Sequence, residues 1–313
     1  MSIPLLAIVG ATASGKSSLA LRLAEKLDGE IISCDSMQIY RRMDIGTAKP
    51  TKEEQEAIKH HMIDLIPPDT PYSCAEYASD AKRAVSEAAS RGKLPIVVGG
   101  TGLYLDSLLF ERPYALSSGE SELREKLLTE ADSEGGAHRL WLELFKIDPE
   151  SAAKIHENNT RRVVRALEIY HSTGIKKSEL DKIGGTPNYR HLVICLRYPD
   201  RAALWQRIEK RVDDMLASGL LSETEELYRS GVFAANSTAA QAIGYKEMLG
   251  YIRGETSLAE CRESLIIATR QYAKRQMTWF SAKDYVNMID VTSNEPDPTE
   301  RALALWQDFL LRA

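Results

Sequence analysis

The sequence predicts an α/β fold: a phosphate-loop (P-loop) core with a doubly wound parallel sheet, interrupted by a helical insertion domain. Three observations carry that expectation. GATASGKS, residues 10 to 17, matches the pattern GxxxxGK[ST] between an apolar run and a helical pattern. Short apolar runs alternate with helical periodicity over the first hundred residues, as a parallel sheet with crossover helices requires. From residue 114 to residue 189 only helical patterns occur. The expected division is 1–113 for the first part of the core, 114–189 for the insertion, and 190–313 for the second part with C-terminal helices.

Taken in order, LLAIVG (5–10) is a short apolar run ending in glycine and reads as a buried strand. A helix is expected from Gly15 to Leu27, with Leu19, Leu23 and Leu27 on one stripe and Gly29 as its stop. EIISCD (30–35) reads as a second strand. Residues 72–91 carry Ala75, Ala78, Ala81, Val85 and Ala88 near helical spacing, and Gly92 ends them. LPIVVGG (94–100) is a third buried strand. The insertion is punctuated by Gly135-Gly136, Pro149, Gly174 and the run Gly184-Gly185-Thr186-Pro187. RHLVICLRYPD (190–200) returns to a strand that rejoins the sheet, and helices are expected over 201–216, 221–229, 239–250 and 258–280.

The chain has 313 residues, with 43% apolar and 27% charged side chains, ordinary values for a globular protein with room for one large or two smaller cores. No eighteen-residue apolar window occurs, so no membrane span is expected. MSIPLLAIVG lacks basic flanks and runs straight into the glycine motif, which predicts no signal peptide. The four cysteines (34, 74, 195, 261) are far apart and fit neither a zinc site nor a disulfide framework, so a cytoplasmic setting is expected. Net charge is −5, which argues against a uniformly basic nucleic-acid binder. Yet residues 154–211 hold thirteen Lys or Arg against six acids, a local excess of seven. One face could hold a polyanion, or the stretch could be a solvated helical surface.

The glycines of the phosphate loop let it curl, so that amides from Thr12 to Ser17 point inward. The helix N-terminus adds partial positive charge, Lys16 a full one, and Ser17 a hydroxyl suited to Mg2+. Such a loop specifies an anion but not a reaction. Nucleotide-hydrolysing relatives of the motif usually carry an apolar strand that ends in Asp, and the third strand here ends in Gly99-Gly100-Thr101 instead. Asp35 ends the second strand and Thr101 follows the third. Both should face the crevice beyond the carboxyl ends of the strands, where open α/β sheets bind ligands. There Asp35 suits a general base and Thr101 a donor to an oxygen gaining charge. The alternatives are an Asp that caps a turn and a Thr that opens a helix.

Eight separated strings occur in one order: GATASGKSS, SCDSMQIY (33–40), DIGTAKP (44–50), HHMID (60–64), VGGTGLY (98–104), RALEIYHSTG (165–174), QAIGYKE (241–247) and ATRQYAKRQMTWF (268–280). Together they resemble the tRNA dimethylallyltransferase (tRNA isopentenyltransferase) family, bacterial type, over residues 5 to 280. The resemblance implies a kinase-like core, Mg2+ as cofactor, and an insertion that grips the tRNA anticodon stem-loop. It implies transfer of a dimethylallyl group from dimethylallyl diphosphate to the exocyclic amine of the adenosine just 3′ of the anticodon. The loop would then hold a diphosphate that departs whole.

Residue by residue, the resemblance makes Asp35 the acceptor of the amine proton and has Thr101 bond the bridging oxygen of the diphosphate. Gly10, Thr12, Ala13, Ser14, Gly15, Lys16 and Ser17 would hold the diphosphate, Ser17 also the metal, and Arg211 would close over the phosphates. Asp35, Ser36, Met37, Gln38 and Thr101 would receive the base, with Gln38 offering a donor and an acceptor to its edge. Asn159, Thr160, Arg161, Arg162 and Val163 would meet the tRNA backbone, as would Lys274 and Arg275, with Trp279 and Phe280 in the core. No membrane partner is implied, and a monomer is expected.

Ala11 stands where the family usually has Pro, and Ser281-Ala282 where arginine usually follows Thr-Trp-Phe. The adjacent His60 and His61 point apart in a strand or helix, so loop packing is expected rather than a metal site. Rival readings are prenylation of free AMP or ATP, a small-molecule or nucleoside kinase with Asp35 as base, and a non-catalytic RNA binder.

Overall fold

The computed structural model describes residues 3–111, 121–182, 185–233, 238–292, 295 and 297–312. Eight strands occur among them: β1 (Pro4–Gly10), β2 (Gly29–Cys34), β3 (His60–His61), β4 (Leu94–Gly99), β5 (Phe110–Glu111), β6 (Thr186–Pro187), β7 (Arg190–Arg197) and β8 (Val286–Asp290). Six form a parallel sheet in the order β3-β2-β4-β1-β7-β8. The central strands carry near-continuous apolar sequence because helices cover both faces. One core joins Leu6, Ile8, Ile96 and Ile194 of the sheet to Leu19 and Leu23 of the helix Lys16–Lys26 and to Trp306 of the helix Thr299–Leu311. A second joins Ile39, Tyr40 and Met43 to Val212, Tyr245 and Leu265.

The chain divides into two compact units. Met1–Leu109 with Tyr189–Ala313 makes the sheet-bearing unit, and Phe110–Asn188 the other. The expected boundary between residues 113 and 114 lies outside the described residues, as does Gly184. In the second unit β5 pairs antiparallel with β6. The helices Ser121–Asp132, Gly136–Ile147, Pro149–Lys154, Thr160–Thr173 and Lys177–Lys182 follow. Leu140, Leu144, Val163, Val164 and Leu167 form its core.

Several expectations change. His60 and His61 form an edge strand, not a packed loop. His61 Nε2 meets Glu30 Oε2 at 2.6 Å, and Arg91 Nη2 reaches the same oxygen at 2.6 Å. The last stretch contains β8 as well as helices. Residues 239–250 are not one helix: a 3-10 turn at Ala239–Gln241 is separated from the helix Tyr245–Ile252 by Gly244, whose φ of 109° no helix permits. Among the described residues no helix is long and apolar enough to cross a membrane.

Candidate active site

The phosphate loop leaves β1 at the middle of the sheet. Gly15, with φ 89°, turns it into the helix Lys16–Lys26. Its carbonyls are held from outside by the helix Arg201–Ala217 and the residues before it. Arg207 Nε donates to Ala13 O at 2.8 Å, and the Tyr198 hydroxyl to Ser14 O at 3.4 Å. Ala13 itself sits at φ 62°, a region costly for a residue with a side chain, so the Arg207 bond fixes a strained turn. The amide of Thr12 donates to Gln276 Oε1 at 2.8 Å and that of Ser14 to Ala11 O at 3.2 Å. Of the amides expected to point inward, these two are therefore already engaged. Those of Ala13, Gly15, Lys16 and Ser17 carry no hydrogen bond within the described chain. Ser14 Oγ is buried without a partner, a polar atom that an anion in the cradle would satisfy.

Two cavities meet beyond the carboxyl ends of the strands. The first, about 290 Å3, is lined by Lys16 and Ser17 of the loop, by apolar Leu21, Ile31 and Val98, and by His60. The second, about 270 Å3, is lined by Ser36, Met37, Gly46, Met215, Ile243 and Arg275 among others. Thr12, Asp35, Thr47, Arg211 and Tyr272 line both. Burial, reinforced by the Arg211 guanidinium, pushes the Lys16 ammonium down to about 8, while Asp35 acts the other way. Burial also lowers Arg211, again against the charge of Asp35. The junction thus holds two cations and one carboxylate, a net positive site for an anion.

Asp35 Oδ1 accepts from the Met37 amide at 2.9 Å, so the turn-capping alternative holds. Oδ2 has no hydrogen bond within the described chain, and the residue still lines both cavities. The structure brings Thr101 only near the junction. Its Oγ1 accepts from the Ser36 amide at 3.1 Å and lies 3.4 Å from Ser36 Oγ, and the residue lines neither cavity. Its carbonyl also opens the helix Gly102–Leu109 through Tyr104 and Leu105, so the helix-opening alternative holds too. Gln38 differs from expectation. Its Oε1 accepts from Ser33 Oγ of β2 at 2.8 Å and its Nε2 donates to Ala48 O at 3.1 Å, which spends both groups on tying the 44–50 loop to β2, although the residue lines the first cavity.

The remaining expected contacts are dispersed. Asn159, Arg161 and Arg162 are exposed at the start of the helix Thr160–Thr173, with Thr160 half-buried. Val163 is 1% exposed in that unit's core and offers no surface to a ligand. Three acids from outside the 154–211 window offset part of the excess: Glu150 is shared by Lys154 and Lys182, Asp290 pairs with Arg197, and Asp214 pairs with Lys210. Arg161 and Arg162 have no ion-pair partner among the described residues. Lys274 is exposed, and the Arg275 guanidinium lies 5.7 Å from the Tyr272 ring centre. Phe280 is fully buried, but Trp279 is 37% exposed and packs against Gly102. Sequence reasoning missed Arg207 and Tyr272. The signal was available in both cases, since each sits one helical turn from a residue already singled out on the same helix, Arg211 and Arg275.

The family model described as IPP transferase matches residues 38–283. The chain belongs to the IPP transferase family. It is 46% identical over 294 residues to the tRNA dimethylallyltransferase of Thermoanaerobacter sp. (strain X514), covering 93% of each chain. It is 45% identical over 289 residues to that of Bacillus subtilis (strain 168), covering 92% of this chain and 91% of the relative. Among solved structures, the tRNA isopentenylpyrophosphate transferase of Staphylococcus epidermidis is similar at 39% identity and a TM-score of 0.71, over 99% of this chain and all of that one. A eukaryotic dimethylallyltransferase acting on tRNA matches with a TM-score of 0.86 at 35% identity, over 99% of this chain and 80% of that one. Among the described residues no cluster of three His, Cys, Asp or Glu could hold a metal. Ser17 Oγ, exposed at the helix start, fits the alternative in which Mg2+ keeps its waters and takes most of its ligands from substrate phosphates.

Proposed function

We infer that the protein transfers the dimethylallyl group of dimethylallyl diphosphate to the exocyclic amine of the adenosine 3′ of a tRNA anticodon. The observation that carries this reading is the junction of two cavities at Asp35 and Arg211, one opening on the phosphate loop and the other on Ser36, Met37 and Arg275. The diphosphate lies on the amides of Gly15, Lys16 and Ser17, with Lys16 and Arg211 on its charge, and the prenyl group points to the junction. The adenine leaves its stack and enters the second cavity, because the amine cannot reach the junction from inside a stacked loop.

The amine nitrogen attacks the allylic carbon, the C–O bond breaks, and the electron pair leaves with the diphosphate. Asp35 Oδ2 takes the proton that the nitrogen loses. Thr101, after its hydroxyl turns from Ser36, donates to the oxygen that was bridging. Mg2+, when bound, neutralises charge on the departing diphosphate, and Ser17 is the ligand this chain supplies. Holding a weakly nucleophilic amine against the allylic carbon contributes much of the rate. Arg161 and Arg162, like Lys274 and Arg275, contact the phosphates of the anticodon stem-loop. The charge that remains unpaired at Arg161 and Arg162 supports that role.

The test is a labelling assay with radiolabelled dimethylallyl diphosphate and Mg2+, run with unmodified tRNA and with AMP side by side. Label should enter tRNA and not AMP. Asp35→Asn should lower kcat by about a hundredfold or more while diphosphate and tRNA affinities stay within about threefold of wild type. Labelled AMP with unlabelled tRNA would overturn the acceptor, and an unaffected Asp35→Asn kcat would remove Asp35 as the base.

A further inference from the structure

Gln276 is an uncharged side chain, 5% exposed, on the helix Leu258–Ser281. It accepts from the Thr12 amide at 2.8 Å and donates from Nε2 to Gly100 O at 3.0 Å. Position 276 is 264 residues from one partner and 176 from the other, so neither bond is a consequence of local chain geometry. Thr12 is the residue of the phosphate loop that lines both cavities, and Gly100 precedes Thr101. One turn earlier on the helix, Tyr272 lines both cavities as Thr12 does. The backbone at residue 100 comes so close that a Cβ there would overlap Gln276 Nε2, so only glycine leaves the amide its place.

We propose that Gln276 is a positioning residue for the diphosphate, whose side-chain amide sets the phosphate loop and the Thr101 segment in one frame by bonding Thr12 on one side and Gly100 on the other. A primary amide is needed because the two partners are of opposite kind. The Thr12 N–H requires an acceptor and the Gly100 carbonyl a donor, and one planar group supplies both. The same helix lines the acceptor cavity with Tyr272 and Arg275, so the tie also links donor and acceptor sides. It rests on the proposed reading of the two cavities, but the tie to the loop can be read with the anion alone.

Gln276→Glu and Gln276→Met separate the possibilities. When ionised, the Glu variant keeps the bond from Thr12 but sets its second oxygen against the Gly100 carbonyl and a negative charge beside the anion site. When protonated, it regains a donor and an acceptor and imitates glutamine. The readout is calorimetric binding of inorganic diphosphate with Mg2+ between pH 5.5 and 8, expressed as variant over wild type so that the ligand's own titration cancels. Gln276→Glu should bind about tenfold more weakly at pH 8 and within about threefold of wild type at pH 5.5. Gln276→Met should be weakened about tenfold at both pH values. In turnover with tRNA the KM for dimethylallyl diphosphate should rise in parallel. A merely structural role would lower the thermal midpoint and leave the pH dependence of the ratio flat. A flat ratio near one for the folded Glu variant overturns the proposal, whatever the Met variant does. Wild type that binds diphosphate but leaves tRNA unlabelled defeats the proposed function and leaves this inference standing.

Discussion

Lys16 shows how burial sets the pH range in which the phosphate loop holds an anion. Its ammonium is pushed down to about 8, first by loss of water and then by Arg211. A bound diphosphate reverses the second effect, so binding raises the proton affinity of Lys16. Below pH 8 the group is already charged and affinity should be independent of it. Above that value each anion bound must be accompanied by a proton, and affinity should fall by up to about tenfold per pH unit. Calorimetry in buffers of different ionisation enthalpy should detect the proton uptake at pH 9, and Lys16→Met should abolish both the uptake and the slope. The loop lysine was legible from GATASGKS because that spacing has one structural meaning. The side chains that complete the site were not, because their roles depend on partners far along the chain. Gln38 looked like a base reader, but Ser33 and Ala48 occupy its amide. Arg207, only one of thirteen basic residues counted over 154–211, bonds Ala13 O.

At the scale of elements, β2 is held to the sheet edge by a buried carboxylate. Glu30 is 5% exposed and receives Arg91 Nε at 3.0 Å together with His61. The hydrogen bond from Arg91, against the opposing effect of burial, holds its carboxyl at about 2, down from an ordinary 4.5. A depressed carboxyl contributes stability that is complete above its unfolded value and lost as pH falls through the folded one, here between about 4.5 and about 2. Glu30→Gln should therefore cost about 1–3 kcal/mol at pH 7 in urea unfolding, with the difference from wild type disappearing below pH 2. The strands that sequence revealed, β1, β2, β4 and β7, are buried on both faces and so read as unbroken apolar runs. The edge strands β3 and β8 did not stand out. β3 is two residues long, and VNMID is half-exposed with Asn and Asp inside it, so neither carries the hydrophobic run by which a central strand is recognised.

For the molecule as a whole, the net charge of −5 repels a polyanion at long range, so recognition of tRNA must come from cations left locally unneutralised. The count of basic residues over 154–211 overstated that resource, because the acids that meet Lys154, Lys182, Arg197 and Lys210 (Glu150, Asp290 and Asp214) all lie outside the window. Charge counted along a sequence is blind to such pairing, and the exposed Arg161 and Arg162 remain after it is subtracted. Each phosphate contact releases condensed cations, so the logarithm of affinity falls linearly with the logarithm of salt concentration, by nearly one unit of slope per contact. Arg161→Ala with Arg162→Ala should flatten that slope by about 1.5 and weaken binding to all tRNA substrates alike, since phosphates carry no sequence information. Lys177→Ala provides the comparison. Its ammonium is matched one to one by Asp181, and losing it should leave the slope within about 0.3 of wild type. Should the lysine change flatten the slope as much as the two arginine changes, the binding surface follows total charge rather than unpaired charge, and the arginine pair loses its assigned role.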